Sequence, residues 1–445
     1  EVEHEPVFVH TAQAEFNYPS GDTNVQSRYE GKGGFRVDSL PMRLAAAIRE
    51  GQFNILLTGY LTAESRMMIR RNIRDRLETL AGFVHWDRDP YLVITEAGRL
   101  VWMCDGYTTS SAHPYSRRAS VDTLRGVNYI RNSVKATVDA YDGEAHLYVF
   151  EPSDPVIRAW QKLFPKLFEP ASSMPADIRA HTRYAETLFR FQAEIYRTYH
   201  MQDPQAFYNK EDVWDLARFA GGPGARPVPS TPTYIVATLP GMTKPEFLLV
   251  VPFTPMTKDN LIGLMLARCD GEALGEIYVL ELSKQRLVFG PMQIAARINQ
   301  EQTISKDLTL WNQQGSQVLR GQTLVLPIDD TLLYVDPIYL QAAEARMPQL
   351  KKIVLAEGNS LIYTDTYEQA LAQLAGASPP AAAPAASSTT AASSATAAPA
   401  APPASDPRVE KIRGHLRKYR ELASQGKWAE AGRELEALES EAARR

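Results

Sequence analysis

Cysteine is nearly missing from this sequence of 445 residues, with Cys104 and Cys269 its only two. They are too few and too far apart for a zinc site or a disulfide framework. Each ends an apolar run before Asp-Gly, which predicts strand ends at turns and buried free thiols, able to pair only where two lobes meet. Long apolar runs are also lacking. Phe247 to Phe253 and Leu261 to Ala267 are the most apolar segments, and both fall far short of the roughly 20 residues that span a bilayer, so they read as buried strands. Nor is there an excess of one charge. A net charge of −4, with Lys and Arg balanced by Asp and Glu almost everywhere, argues against a nucleic-acid binder, which carries a basic domain or stripe.

The motifs of common enzyme classes are absent as well. There is no Gly-x-Ser-x-Gly elbow, dinucleotide fingerprint or EF-hand loop. Gly31-Lys-Gly-Gly, before a helix expected to start near Ser39, lacks the spacing that places backbone amides around a phosphate, and reads as a flexible turn. His181, His200, Asn209, Glu211 and Asp212 lack the tight pairing that makes metal ligands converge, so no metal and no cofactor is expected.

What is present suits a large globular core. The chain is 44% hydrophobic and 22% charged, and its strand and helix patterns do not alternate regularly, so the expected class is α+β with mixed, largely antiparallel sheets. Two lobes are expected, at about 1–150 and 230–376, joined by a helical segment at 151–229 in which Ser173 is the candidate N-cap and Pro175 lies in the first turn. Tyr91 to Thr95 and Leu100 to Cys104 read as strands about Ala97-Gly98. Gln322 to Ile328 and Thr331 to Asp336 read as a hairpin turning at Asp329-Asp330, with Leu326 opposite Leu333 and Leu324 opposite Val335. Residues 377–405, almost wholly Ala, Pro, Ser and Thr, predict a disordered linker. Residues 406–445 then show helical spacing interrupted at Gly426, which predicts a helical hairpin with Ile412, Leu416, Tyr419, Trp428 and Leu435 as a docking face.

Asn128 to Phe150 carries the clearest local pattern. Val134, Ala136, Val138 and Ala140 alternate with polar residues, as do Ala145, Leu147 and Val149, and Asp142-Gly143 lies between as a turn signal. Pairing about a two-residue turn sets Ala140 opposite Ala145, Val138 opposite Leu147 and Ala136 opposite Val149, and on the other face it sets Asp139 across from His146. That pair is either half of a general-base arrangement or an exposed contact that fixes register. Asp105, Arg131, Asp139, His146 and His200 are the polar residues that could gather in a cleft. A second charged feature is a helix expected from Thr62 to Leu80, where Arg66, Arg70 and Arg74 lie four residues apart beside an apolar stripe of Ile69, Ile73, Leu77 and Leu80. They are candidates for an anion or lipid-headgroup contact, or form a solvated face or salt bridges to other elements.

The words Glu15-Phe-Asn-Tyr-Pro, Tyr29-Glu-Gly-Lys-Gly-Gly, Asn128-Tyr-Ile-Arg-Asn-Ser-Val-Lys and Val138-Asp-Ala-Tyr-Asp-Gly occur in this order. They are followed by Tyr208-Asn-Lys-Glu-Asp, Pro252-Phe-Thr-Pro, Gly290-Pro-Met-Gln-Ile and Leu310-Trp-Asn-Gln. Together they resemble the bacterial uncharacterised protein family 0182, over about residues 1 to 376. The resemblance implies a multi-pass membrane protein with N-terminal transmembrane helices and a large extracytoplasmic soluble region, of which this chain would be most. It implies no catalytic residues. Because residue 1 is Glu, the chain is expected to be a fragment or a processed product.

Two functional expectations follow. One is an extracytoplasmic domain of a cell-membrane protein that binds a protein partner or assembles with copies of itself. The other is a cell-envelope hydrolase or ligand-binding enzyme built on the polar cleft. A deep pocket holding three or more of the five cleft candidates would favour the second.

Overall fold

A computed structural model describes residues 7–376, apart from 22, 222–225, 313–314, 329–330 and 343–346, together with residue 418. The chain divides into two compact units, Glu1–Pro380 and Ala381–Arg445. The expected linker, the tail hairpin and its face of Ile412, Leu416, Tyr419, Trp428 and Leu435 lie outside the described residues.

The first unit is α+β and is built around several cores. Its N-terminal module contains strand β1 (Val7–Val9), the hairpin of β2 (Glu15–Ser20) and β3 (Thr23–Ser27), β4 (Phe35–Arg36), helices α1 (Leu40–Glu50) and α2 (Asn54–Leu57), and β5 (Arg66–Met68). In its three-stranded sheet β5 lies between β1 and β4. The core is small: Val37, Ala46, Ala47, Ile55, Leu61 and Met67 are its buried residues.

This module replaces the first part of the helix expected from Thr62 to Leu80. Met67 fills the core between two strands, and Arg70 takes a left-handed conformation with φ of 52°. Only then does α3 (Ile73–Ala81) begin, capped by the Asn72 side chain, which accepts the amides of Arg74 and Asp75. Arg66 therefore stands on a strand, Arg70 in a turn and Arg74 on the helix, and the three share no helical face.

The central sheet follows. It contains β6 (His85–Trp86), β7 (Tyr91–Ile94), β8 (Leu100–Ser110), β11 (Tyr129–Asp139), β12 (Ala145–Val149) and β13 (Phe168–Pro170), with β9 (Ala119–Val121) and β10 (Leu124–Val127) forming a separate pair before β11. β7 and β8 meet as expected, with Ile94 opposite Leu100. Cys104 lies in mid-strand, not at a strand end, because β8 runs on to Ser110, and both thiols are buried and free. One face of β11 and β12 buries Val134, Ala136, Val138, Leu147 and Val149 against α3 and α4 (Pro155–Leu163). The expected register is corrected by two residues: Val138 faces Ala145, Ala136 faces Leu147, and His146 faces Thr137 rather than Asp139.

The stretch expected to be mainly helical from Ser173 holds α5 (Ala176–Arg179), α6 (Glu186–Tyr199) and α7 (Pro204–Asn209), with Pro175 rather than Ser173 at the N-cap position of α5. Strands resume at Trp214. The C-terminal part contains two antiparallel sheets that share a large core, which includes Leu248, Leu264, Leu266, Ile298, Ile338 and Val354. Both apolar runs form buried strands, Glu246–Pro255 and Gly263–Arg268. The second hairpin has the expected register, with Leu326 opposite Leu333 and Leu324 opposite Val335; its turn at 329–330 lies outside the described residues.

The reverse face of the central sheet packs Val93, Val101, Met103 and Tyr148 against Met174 and Ile178, and beside this apolar cluster it buries polar groups. Lys135 stands directly opposite Asp105, its Nζ is 2.5 Å from Oδ1, and both side chains are less than a tenth exposed. The ammonium also donates to the Arg183 carbonyl at 3.0 Å. The Arg183 guanidinium lies between the rings of Tyr91, at 4.0 Å, and Tyr234, at 4.6 Å, so it ties the central sheet to the C-terminal part. Removing one partner of such a pair leaves a buried charge uncompensated. Asp105→Ala is expected to cost about 3–5 kcal/mol in denaturant unfolding, and Asp105→Leu with Lys135→Met to recover most of that loss; an equally unstable double variant would contradict this.

Candidate functional site

The five cleft candidates do not converge. Asp105 is spent on Lys135. Arg131 is exposed and lies over the Tyr129 ring at 5.1 Å. His146, on β12, meets Glu169 of the edge strand β13 at 2.7 Å. His200 is stacked on Trp214 at 3.9 Å, in an aromatic core. Only Asp139 reaches a site with more to offer, and there its partners are not those expected.

That site is the turn between β11 and β12. Its closing pair is Asp139 and Glu144, and the Gly143 amide donates to the Asp139 carbonyl at 2.8 Å. Asp139 Oδ1 accepts the amides of Tyr141 and Asp142, an Asx-type turn. Gly143 sits at φ of 71°, a conformation glycine adopts without strain. The turn is a four-residue loop, which is why the register differs from that of a two-residue turn.

The segment read as a flexible turn, Gly31-Lys-Gly-Gly, is packed onto this loop. The Lys32 amide donates to Asp142 Oδ1 at 2.8 Å and the Glu30 amide to the Tyr141 hydroxyl at 2.9 Å. The Tyr29 hydroxyl donates to Asp142 Oδ1 at 3.0 Å and accepts the Gly33 amide at 2.8 Å. A Cβ on Gly31 would stand 2.2 Å from Asp142 Oδ1, and one on Gly33 would stand 2.6 Å from the Asp142 carbonyl oxygen, so the close approach requires glycine. Arg99 donates to Asp139 Oδ2 through Nε at 2.9 Å and Nη2 at 2.6 Å, and reaches Asp142 at 3.2 Å. Arg76 binds the carbonyls of Gly143, Arg70 and Ile69.

Beside the turn lies a cavity of about 650 Å³. Arg71, Arg74, Arg76 and Arg88 line it, with Asp139 and Asp142 on the wall formed by the turn. Of the three arginines expected to contact anions, only Arg74 is in this lining. Arg71, Arg76 and Arg88 come from positions that the helical spacing did not single out.

A second feature lies on the N-terminal module. α1 turns Ala46 and Ala47 inward, while Leu40, Leu44 and Ile48, spaced one turn apart, are 73%, 44% and 66% exposed. Phe53 and Leu57 beside them are 68% and 82% exposed. The module itself is balanced in charge, with six Lys and Arg against six Asp and Glu over residues 7–68; the basic excess lies where β5 passes into α3, with Arg70, Arg71, Arg74 and Arg76 against Asp75.

A family model described as Uncharacterised protein family (UPF0182) matches residues 1–311. The chain belongs to the UPF0182 family. Similar members include a UPF0182 protein of Solibacter usitatus, 69% identical over 99% of this chain and 48% of the relative. Those of Sulfurovum sp. and Pelotomaculum thermopropionicum are 41% and 46% identical, over 98% and 83% of this chain and 46% and 40% of the relatives. The chain thus spans about half the length of these UPF0182 relatives or less. No solved structure matches it.

The turn gives the site a defined pH response. Burial pushes the Asp142 carboxyl up, but the Lys32 amide, the Tyr29 hydroxyl and Arg99 outweigh it and hold the group below the usual carboxylate range. Burial beside Asp142 raises the Tyr29 phenol to about 12. A lowered carboxyl contributes stability that is fully present above its unfolded pKa of about 4 and is lost as pH falls through the lower folded value. Unfolding of Asp142→Asn against the parent is therefore expected to show a constant deficit near neutral pH that shrinks below about pH 4; a deficit that grows in acid would contradict the assignment.

Proposed function

We propose that this chain is the extracytoplasmic region of a membrane protein and acts as a binding module that rests on an anionic lipid surface through its N-terminal module. The observation that carries this reading is the outward apolar stripe of α1. A helix in a water-soluble module normally turns its larger apolar side chains inward, yet α1 buries two alanines and presents Leu40, Leu44 and Ile48 to solvent, with Phe53 and Leu57 extending the patch. Helices that lie in the membrane interface combine such a stripe with basic residues, and their binding grows with apolar area and with attraction to anionic lipid. The net three positive charges of residues 69–76, which follow the module directly, favour an anionic surface as occupant, each basic side chain near the surface contributing about 1 kcal/mol.

The resemblance to family 0182 supports a membrane-anchored whole, whose spans would lie in sequence that the relatives have beyond the part matched by this chain. Among the described residues no helix is long and apolar enough to cross a membrane. Protein partners and self-assembly remain the competing occupants of the same face.

Cosedimentation of the chain with phosphatidylglycerol vesicles is expected to show binding that salt weakens and that is much reduced on phosphatidylcholine. Ile48→Asp with Leu57→Asp should abolish it while changing stability by no more than about 0.5 kcal/mol per site, since both positions are exposed. Equal binding to both vesicle types, or by the variant, would overturn the reading. No vesicle binding, with self-association that the variant loses, would assign the face to a second copy.

A further inference from the structure

We propose that the arginine-lined cavity beside the Asp139–Gly143 turn binds a phosphate group carried on a small organic body. The cavity measures about 650 Å³, within the range of about 300–1,000 Å³ in which proteins hold small ligands. Four guanidinium-bearing residues line it, Arg71, Arg74, Arg76 and Arg88. Nε of Arg74 is buried and has no hydrogen-bond partner, and neither Arg74 nor Arg88 forms an ion pair among the described residues. A buried donor left in this state carries an uncompensated desolvation cost, which an incoming acceptor relieves.

The carboxylates on the opposite wall are already engaged. Asp139 accepts two amides on Oδ1 and two guanidinium hydrogen bonds from Arg99 on Oδ2. Asp142 accepts the Tyr29 hydroxyl and the Lys32 amide on Oδ1, and Arg99 on Oδ2. They hold the turn in place through Arg99, and neither forms an ion pair with Arg74 or Arg88 among the described residues. Arg74 and Arg88 therefore bring positive charge to the cavity with no carboxylate paired to them among the described residues, and the guanidinium fork matches the geometry of phosphate oxygens.

The remaining lining argues for an ester over a bare ion. Phe35, Met68, Pro90 and Trp102 add an apolar side to the cavity, suited to the carbon skeleton that carries the phosphate. A lipid headgroup and a free phosphate ester share this chemistry.

The test is calorimetric titration of the whole 445-residue chain with glycerol 3-phosphate at fixed ionic strength, alongside phosphatidylglycerol vesicles. Saturable binding of the soluble ester is expected, weakened roughly tenfold or more by Arg74→Gln or Arg88→Gln and unchanged by Arg286→Gln, an exposed arginine that does not line the cavity. Arg88 is itself exposed, so Arg88→Gln keeps the test valid should Arg74→Gln fail to fold. Vesicle binding that depends on Arg88, without binding of the soluble ester, would support the site and identify a lipid headgroup as the source. Absence of binding to either probe, or equal losses in Arg88→Gln and Arg286→Gln, would overturn the proposal. The soluble-ester arm is independent of whether α1 and α2 rest on lipid.

Discussion

The turn Asp139–Gly143 is the constraint on which the N-terminal half of the structure depends. Five residues there combine backbone closure, two engaged carboxylates and a left-handed glycine, and three other parts of the chain bind to them. Arg99 holds the turn from the loop between β7 and β8, Arg76 from α3, and the Tyr29–Gly33 segment from the N-terminal module. With its aperiodic loops and small core of six buried side chains, the module has little else to fix its position. The two words Tyr29-Glu-Gly-Lys-Gly-Gly and Val138-Asp-Ala-Tyr-Asp-Gly, more than a hundred residues apart, are the two sides of this contact.

The same clamp connects structure to function. By fixing the module against the sheet it forms the wall of the arginine cavity, and Arg99 supplies the charge that Asp139 and Asp142 need. The Lys135–Asp105 pair performs the corresponding task on the other face of the sheet, where a buried ion pair and the Arg183 side chain join the central sheet to the C-terminal part. Neither network resembles a catalytic constellation: each holds elements together.

Local signals in the sequence were legible. The α+β class, the helix beginning after Ser39, the buried strands at 247–253 and 261–267, and the register of Leu326 on Leu333 all follow from periodicity and turn residues. The hairpin register did not, for a geometric reason. A slip of one residue would have reversed its faces, but a slip of two keeps every apolar side chain inward, so alternation alone cannot choose between Val138 on Leu147 and Val138 on Ala145. The choice is made by the Asx-type closure at Asp139 and by Gly143. The helix read from Thr62 to Leu80 failed because Ile69, Ile73, Leu77 and Leu80 keep helical spacing across a strand end, a left-handed residue and a cap. What overrides that spacing is the insertion of β5 between β1 and β4, a non-local pairing. For the same reason Arg88 could not be recognised as a neighbour of Arg74, nor Lys135 as the partner of Asp105.

The central claim, that contact with the turn fixes the N-terminal module, is tested most directly by amide hydrogen exchange in Gly33→Ala. The added Cβ would meet the Asp142 carbonyl at 2.6 Å and the Tyr29 hydroxyl at 2.7 Å, while leaving every charge in place. Gly33 is not in the left-handed region, so the substitution acts through this contact. The account predicts faster exchange over residues 29–37 and 66–76 and in the turn itself, with β8, β11 and β12 protected as in the parent. Unchanged exchange in the module, or loss of protection spread evenly over the central sheet, would contradict it.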